Sequence, residues 1–366
     1  MKINRREFLQ KMMMGAGALA VTPLMNMPYL KTGLQQDDDW EKDQMLGRNC
    51  TGGMINIRKA PSANSEIVKS VYEDTVLPWI KEVIGEAPAG RTSRKWVETP
   101  DGYIFSPSFQ PVKNIPNQIV SEIPTVSTGK GMWAEVTVPY TDLFLINPPA
   151  RSPWLKESAS PRLYYSQVVW IDDMVTHSSG QVLYRVNEIH GTYGDIFYAA
   201  GEAFRPITTE EVSPIHPEVE DKKVIINLSQ QTLSCLEGVR EVFFCTVSTG
   251  AVYNAYGERV EEWGTPVGPH PIWRKLFSLH MSGGASGAGW DTMGIPWTSL
   301  FAGEGMALHS TFWHNGFGER LSHGCVNMRP DDAKWVFRWC LPNVPFETGD
   351  ITVSMPGGTI VEVVEI

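Results

Sequence analysis

The stretch Ser322-His323-Gly324-Cys325-Val326-Asn327 sets a cysteine directly after a glycine, between small and polar residues, in a chain of 366 residues that holds five cysteines. Gly324 permits a tight turn, because glycine accepts backbone angles that side chains forbid. Such a turn exposes the Cys325 sulfur and aims successive backbone N–H groups at one point, the geometry of a nucleophile beside an oxyanion hole. A thiol with its ordinary pKa of about 8.5 is mostly protonated at neutral pH, so it needs a neighbouring base or cation, and a thiolate titrating below that value is expected. His309, in Met306-Ala307-Leu308-His309-Ser310, and His323 are the candidates. The plain alternative is a buried structural cysteine and a core histidine.

Around that turn stand Ala307-Leu308-His309, then Phe312-Trp313-His314 and Phe317-Gly318, and after it Val326-Asn327-Met328. The combined pattern resembles the active-site signature of L,D-transpeptidases with a YkuD-like catalytic domain. Ser248-Thr249-Gly250 and Thr265-Pro266-Val267-Gly268 resemble two further blocks of that family, which puts the catalytic domain at about residues 219–356. The resemblance implies Cys325 as nucleophile, His309 as base, Ser310 holding His309 through its backbone carbonyl, and His323 and Gly324 on the oxyanion side. From the residues alone, His323 as the base stays open. Asn327 is expected at the substrate, with turn stabilisation as the alternative, and Ile295-Pro296-Trp297 resembles the family's substrate-side wall. His314 repeats an aromatic-His pattern without a derived role. A zinc site of Cys325, His309 and His323 would bury the nucleophile under metal and lacks the usual ligand spacings, so neither metal nor cofactor is expected.

The activity that the resemblance implies is cell-wall biogenesis with a bearing on cell shape. The bond after the third residue of a peptidoglycan stem peptide is cleaved, and the acyl group passes to an amine on a neighbouring stem. An L,D-carboxypeptidase would resolve the same acyl-enzyme with water. A non-catalytic wall-binding protein is the third reading.

The rest of the chain fits an exported, mainly β protein. A formal net charge of −10 argues against a nucleic-acid partner, which would want a basic surface. Asn4-Arg5-Arg6-Glu7-Phe8-Leu9 resembles a twin-arginine export motif, and Met12 to Leu24 is too short and mild to span a membrane. Residues 1–24 therefore read as a signal segment, and the expected location is the cell envelope, periplasmic or cell wall. Residues 25–45, with Asp37-Asp38-Asp39, read as an acidic linker. From residue 46 to 115, short alternating strands separated by turn residues resemble a small bacterial SH3-like β-barrel, with Lys81 to Arg94 as a long loop. Residues 131–207 echo that order: Gly102-Tyr103-Ile104-Phe105 and Phe109-Gln110-Pro111-Val112 answer to Gly194-Asp195-Ile196-Phe197 and Phe204-Arg205-Pro206-Ile207. The fold expected is one or two such barrels ahead of a mixed, β-sandwich-like catalytic domain with a short helix at Pro330 to Trp339. Contact with wall polymer is one expected use of the modules, and spacers that bury their aromatics in their own cores are the alternative.

Two smaller readings complete the sequence. With Cys325 as a free nucleophile, Cys50, Cys235, Cys245 and Cys340 allow three disulfide pairings or none. A turn near Glu237-Gly238 would set Cys235 opposite a residue between Arg240 and Val242, which makes a direct Cys235–Cys245 bridge doubtful. Ser282-Gly283-Gly284-Ala285-Ser286-Gly287-Ala288-Gly289 lacks the Lys and helix of a phosphate loop and reads as a mobile loop over the active site.

Overall fold

The computed structural model describes residues 44–366, apart from 158–160, 191–192, 253–259, 261–262, 284–289 and 304. The signal segment, almost all of the acidic linker and most of the glycine-rich loop lie outside the described residues. The chain is mainly β.

The C-terminal part contains two five-stranded sheets. One runs in the order Arg240–Thr246, Thr232–Glu237, Lys222–Asn227, Ile360–Val364, Gly268–Pro271. The other runs Val326–Met328, Met306–Ser310, Trp290–Ala302, Arg274–Gly283, Asp350–Thr352. Alternation builds the first sheet: Val224 and Ile226 are buried, while Lys223 is exposed and Ile225 between them only half-buried. Their side chains share one core with Phe277, Phe301, Leu308, Val326 and Met328 of the second sheet.

The helix Pro330–Trp339 closes this core with Ala333, Val336 and Phe337. It starts at Pro330, whose missing N–H is no loss in a first turn, and Asp331 and Asp332 suit the positive end of the helix dipole. Its other end is held by two buried lysines. Lys275 Nζ donates to Phe337 O at 2.6 Å and Pro342 O at 2.9 Å, and Lys222 Nζ to Trp339 O at 2.9 Å. Burial pulls the Lys275 ammonium down to about 7, and the carbonyl oxygens at the negative helix end are what make a cation tolerable there.

Cys235 pairs with Phe243, one place beyond the expected range, because a register shift follows at Leu236. Cys245 lies opposite Leu233. Cys50, Cys235, Cys245 and Cys340 are buried free thiols, so none of the three disulfide pairings forms.

Ahead of this domain, Leu46–Asn49 joins Val76–Pro78 and Phe109–Val112 in a three-stranded sheet, and a five-stranded sheet packs beside it around Ile57, Val97, Ile104 and Phe109. The expected long loop from Lys81 holds a strand, Lys81–Ile84, paired with Lys95–Thr99. The next unit is a six-stranded sheet that includes Met132–Val136, Val168–Thr176 and Ile196–Ala200. The echo read from the sequence has a local counterpart. Gly102–Phe105 passes through a 3₁₀ turn, Ser106–Ser108, into Phe109–Val112, and Ile196–Ala200 passes through Gly201–Ala203 into Phe204–Pro206.

Both N-terminal units pack closely on the C-terminal part. Trp133 of the second unit sits in its hydrophobic core and donates from its indole to Phe346 O at 3.0 Å. Gln167 Nε2 donates to Met293 O at 2.6 Å. The first unit takes hold of residues 312–319, the loop between the His309 strand and the Cys325 turn. Arg48 donates to Phe312 O at 2.8 Å, and Asn315 Nδ2 to Ser106 Oγ at 3.1 Å. The buried Glu319 carboxylate accepts from Arg91 Nε at 3.1 Å, Thr92 N at 2.7 Å and Ser93 N at 2.9 Å.

Candidate active site

Met306–Ser310 and Val326–Met328 are parallel neighbours, with His309 opposite Asn327 and Leu308 opposite Val326. Successive side chains alternate between faces. Leu308, Val326 and Met328 accordingly point into the core, and Ala307, His309, Cys325 and Asn327 share the other face. Cys325 is thus a diagonal neighbour of His309 across a parallel ladder, one step before the strand begins.

The turn that delivers Cys325 depends on Gly324. Its φ is 111°, a conformation strained for any residue but glycine, and a Cβ there would come to 3.1 Å from the Met306 methyl, which would have to give way. Thr265 Oγ1 donates to Gly324 O at 2.8 Å, Gly324 N–H donates to Ser322 Oγ at 3.2 Å, and Ser322 Oγ donates to Cys325 O. These bonds fix the turn from three sides. The exposed His323 ring lies edge-on to Trp263, with centroids 4.3 Å apart. It points outward beside the turn.

The half-buried Cys325 packs against Leu276, Leu279, Leu300 and Ala307, and its Sγ is 3.7 Å from Gly305 O. Burial pushes the thiol up to about 11, and the Ala307 backbone N–H pulls it only partly back. A thiolate titrating below the ordinary value, expected from the sequence, is not what this environment favours: among the described residues, those packed with the sulfur are apolar and bring no cation to stabilise the anion.

His309 is 2% exposed. Its Nδ1 lies 2.8 Å from Ser310 O, and its Nε2 lies 3.1 Å from Asn327 Nδ2. Burial drives its pKa down to about 4, with only the Ser310 carbonyl acting against it. The imidazole is therefore neutral at pH 7. The Ser310 hydroxyl itself is buried and makes no hydrogen bond.

Two other expected site residues are placed differently from a substrate wall. Asn327 is 1% exposed, and its amide lies between His309 and His314. Trp297 is also 1% exposed, packed against Phe277 and Phe337 in the core, and offers a substrate no surface. His314, without a role from the sequence, contacts Asn327 Oδ1 at 3.1 Å. The buried cluster Glu188–His280–Asp291 was not legible at all, because its carboxylates are 92 and 11 residues from the histidine. Among the described residues, no group of three or more His, Cys, Asp and Glu side chains is arranged to hold a metal ion.

A buried neutral imidazole, oriented by a carbonyl and set diagonally from a thiol on a glycine turn, is an arrangement suited to acyl transfer through a cysteine. Residues 221–363, which contain all of it, match the model of the YkuD family, the L,D-transpeptidase catalytic domain. No protein of curated function matches the chain. Among solved structures, a crystal structure of an Enterococcus faecium L,D-transpeptidase mutant is 20% identical, with a TM-score of 0.30 over 43% of this chain and 56% of that one. This chain thus spans little more than half of that enterococcal chain. The E. faecium catalytic domain acylated by ertapenem is 20% identical, with a TM-score of 0.29 over 40% of this chain and 98% of that one. An L,D-transpeptidase from Mycobacterium smegmatis is 14% identical, with a TM-score of 0.31 over 50% of this chain and 90% of that one.

Proposed function

We propose that the chain is an exported cysteine acyltransferase that cross-links peptidoglycan by L,D-transpeptidation. The observation that carries this reading is that Cys325, at the end of a glycine turn, lies on the same sheet face as His309 and one ladder step from it, with His309 held through Nδ1 by the Ser310 carbonyl. The N-terminal Arg5-Arg6 motif supports export, and a substrate outside the cytoplasm requires it.

In the acylation step, Cys325 Sγ attacks the carbonyl of the third stem residue while its proton moves to His309 Nε2, displacing the Asn327 N–H from that nitrogen. Negative charge develops on the carbonyl oxygen, and the backbone N–H groups of the His323–Cys325 turn are its expected partners. Loss of one such donor typically costs about 3 kcal/mol of barrier. Collapse breaks the C–N bond, and His309 returns the proton to the departing amine. The acceptor amine then attacks the thioester, gives a proton to His309, and leaves an amide and a free thiol. The environment suits proton transfer within the attack. A thiol near 11 and an imidazole near 4 do not form a standing ion pair, and an imidazolium of low pKa gives its proton readily to a leaving amine.

Mass spectrometry of purified muropeptides incubated with the protein tests the reading. The expected products are stems shortened after the third residue and joined to an amine of a second stem. Shortened stems alone would make the protein an L,D-carboxypeptidase. Unchanged muropeptides would overturn the enzymatic reading.

A further inference from the structure

A row of hydrogen bonds runs away from the base, and backbone groups set its direction at both ends. Ser310 O can only accept, so His309 Nδ1, 2.8 Å away, carries the proton. The lone pair of the neutral ring is then on Nε2, where Asn327 Nδ2 donates at 3.1 Å. The Asn327 oxygen therefore faces His314 Nε2, also at 3.1 Å, which must be N–H. That leaves His314 Nδ1 as an acceptor, and the Gly316 N–H donates to it at 3.1 Å. Turning the Asn327 amide over would press N–H against N–H at His314 and oxygen against a lone pair at His309. Neither ring can change tautomer to relieve this, because one faces a carbonyl and the other a backbone N–H.

The placement of His314 is itself enforced. Its loop is held by the first N-terminal unit through Arg48 on Phe312 O, Asn315 on Ser106 Oγ, and Arg91, Thr92 and Ser93 on Glu319. Arg91 and Glu319 are the charged groups nearest to His314 on that side. On its outer side a cavity of about 290 Å³ adds Arg329, Asp331 and Asp332 from the helix start, with Lys113 and Glu135 from the two N-terminal units.

We propose that His314 is a positioning residue for the base. Through Asn327 it holds His309 as a neutral Nδ1–H imidazole whose Nε2 lone pair is capped by the Asn327 N–H, so that the resting pair is thiol and imidazole and the thiol proton reaches Nε2 only when that N–H is displaced during attack on a carbonyl. A proton arriving at Nε2 with the cap in place would meet the Asn327 N–H, and Asn327 cannot offer its oxygen instead while His314 N–H holds that oxygen. The proposal rests on His309 being the base. It also gives the first N-terminal unit a part in the active site, since that unit fixes the loop carrying His314.

Long-range ¹H–¹⁵N NMR of the histidine-labelled full chain, followed between pH 7 and pH 4, tests this without any substrate. In wild type, His309 should carry its proton on Nδ1 and His314 on Nε2. His314→Gln keeps an amide N–H for Asn327 and should leave the His309 signals as they are. His314→Phe removes the donor, frees Asn327 to turn its oxygen to His309, and should raise the His309 titration midpoint by at least one pH unit, a tenfold change in proton affinity. Iodoacetamide alkylation of Cys325 should then inflect at lower pH than in wild type. An Nδ1–H tautomer of His314 in wild type, which needs no variant to be seen, would overturn the proposal. So would an unmoved His309 midpoint in a folded His314→Phe protein. If the wild-type pattern is found but muropeptides are not turned over, the substrate reading fails and the hydrogen-bond row stands.

Discussion

His309 and His280 are buried to nearly the same degree, 2% and 5% exposed, and burial pushes both toward the neutral form. Their partners take them in opposite directions. His309 meets a carbonyl and an amide, neither charged, and its pKa falls to about 4. His280 lies between two carboxylates, Glu188 at 2.9 Å from Nδ1 and Asp291 at Nε2, with Tyr193 edge-on to the ring. Their hydrogen bonds and charges outweigh burial and raise its pKa. The first environment keeps the ring neutral, with its lone pair on Nε2 facing the Asn327 amide. The second favours the protonated ring, which bridges Glu188 of the second unit to Asp291 of the C-terminal part. Burial alone does not tell a base from a structural cation; the charge of the partners does.

The largest expected separation between them is in rate. His309→Gln should slow acylation of Cys325 by a hundredfold or more, since loss of a general base typically costs about 10² to 10⁴. His280→Gln should leave that rate unchanged. Stopped-flow acylation of the two variants measures both, and a large rate loss in His280→Gln would break the contrast.

In stability the order reverses. His280→Gln leaves Glu188 and Asp291 buried without their cation, and breaking a buried ion pair costs about 3–5 kcal/mol. His309→Gln removes only hydrogen bonds between neutral groups, worth about 1 kcal/mol each. Denaturant titration should rank the variants in that order.

The pH dependence should differ in sign. The folded pKa of His309, about 4, lies below the unfolded value of about 6.5, so its contribution to stability is complete above 6.5 and is lost as pH falls toward 4, by up to about 1.4 kcal/mol per unit. The folded pKa of His280 is raised, so its contribution is complete below the unfolded value and is lost as pH rises through the folded one. Each substitution, compared with wild type, should remove one of these slopes and spare the other. The smallest effect tests the rim of the His280 cluster. Ser152 Oγ donates to Asp291 Oδ2 at 2.9 Å, and Ser152→Ala should cost about 1 kcal/mol in the same denaturation experiment.

Local features were the ones that could be read in advance. The helix Pro330–Trp339 carries its start signal and its apolar spacing within ten residues, and it forms with those bounds. The strands Gly102–Phe105 and Phe109–Val112 likewise follow from alternation and turn residues. The Gly324 turn could be anticipated because only glycine suits its backbone. The electrostatics could not. The aliphatic walls that raise the Cys325 thiol come from Leu276, Leu279 and Leu300, none of them near it in sequence. Trp297 was expected at the site because Ile295-Pro296-Trp297 resembles the family's substrate-side wall, but its direction depends on how the two sheets meet. The grip on Glu319 joins residues 226 to 228 positions apart, and no periodicity announces such a contact. His314 was visible as a pattern, and only its neighbours gave it a role.

The central claim is that Cys325 carries the acyl group, and peptide-mapped mass spectrometry of the protein quenched during reaction with a tetrapeptide stem measures that directly. The account predicts an acyl adduct on the peptide containing Cys325 in wild type and no adduct in Cys325→Ala. An adduct formed at full yield by Cys325→Ala, or mapped to another residue in wild type, would contradict it.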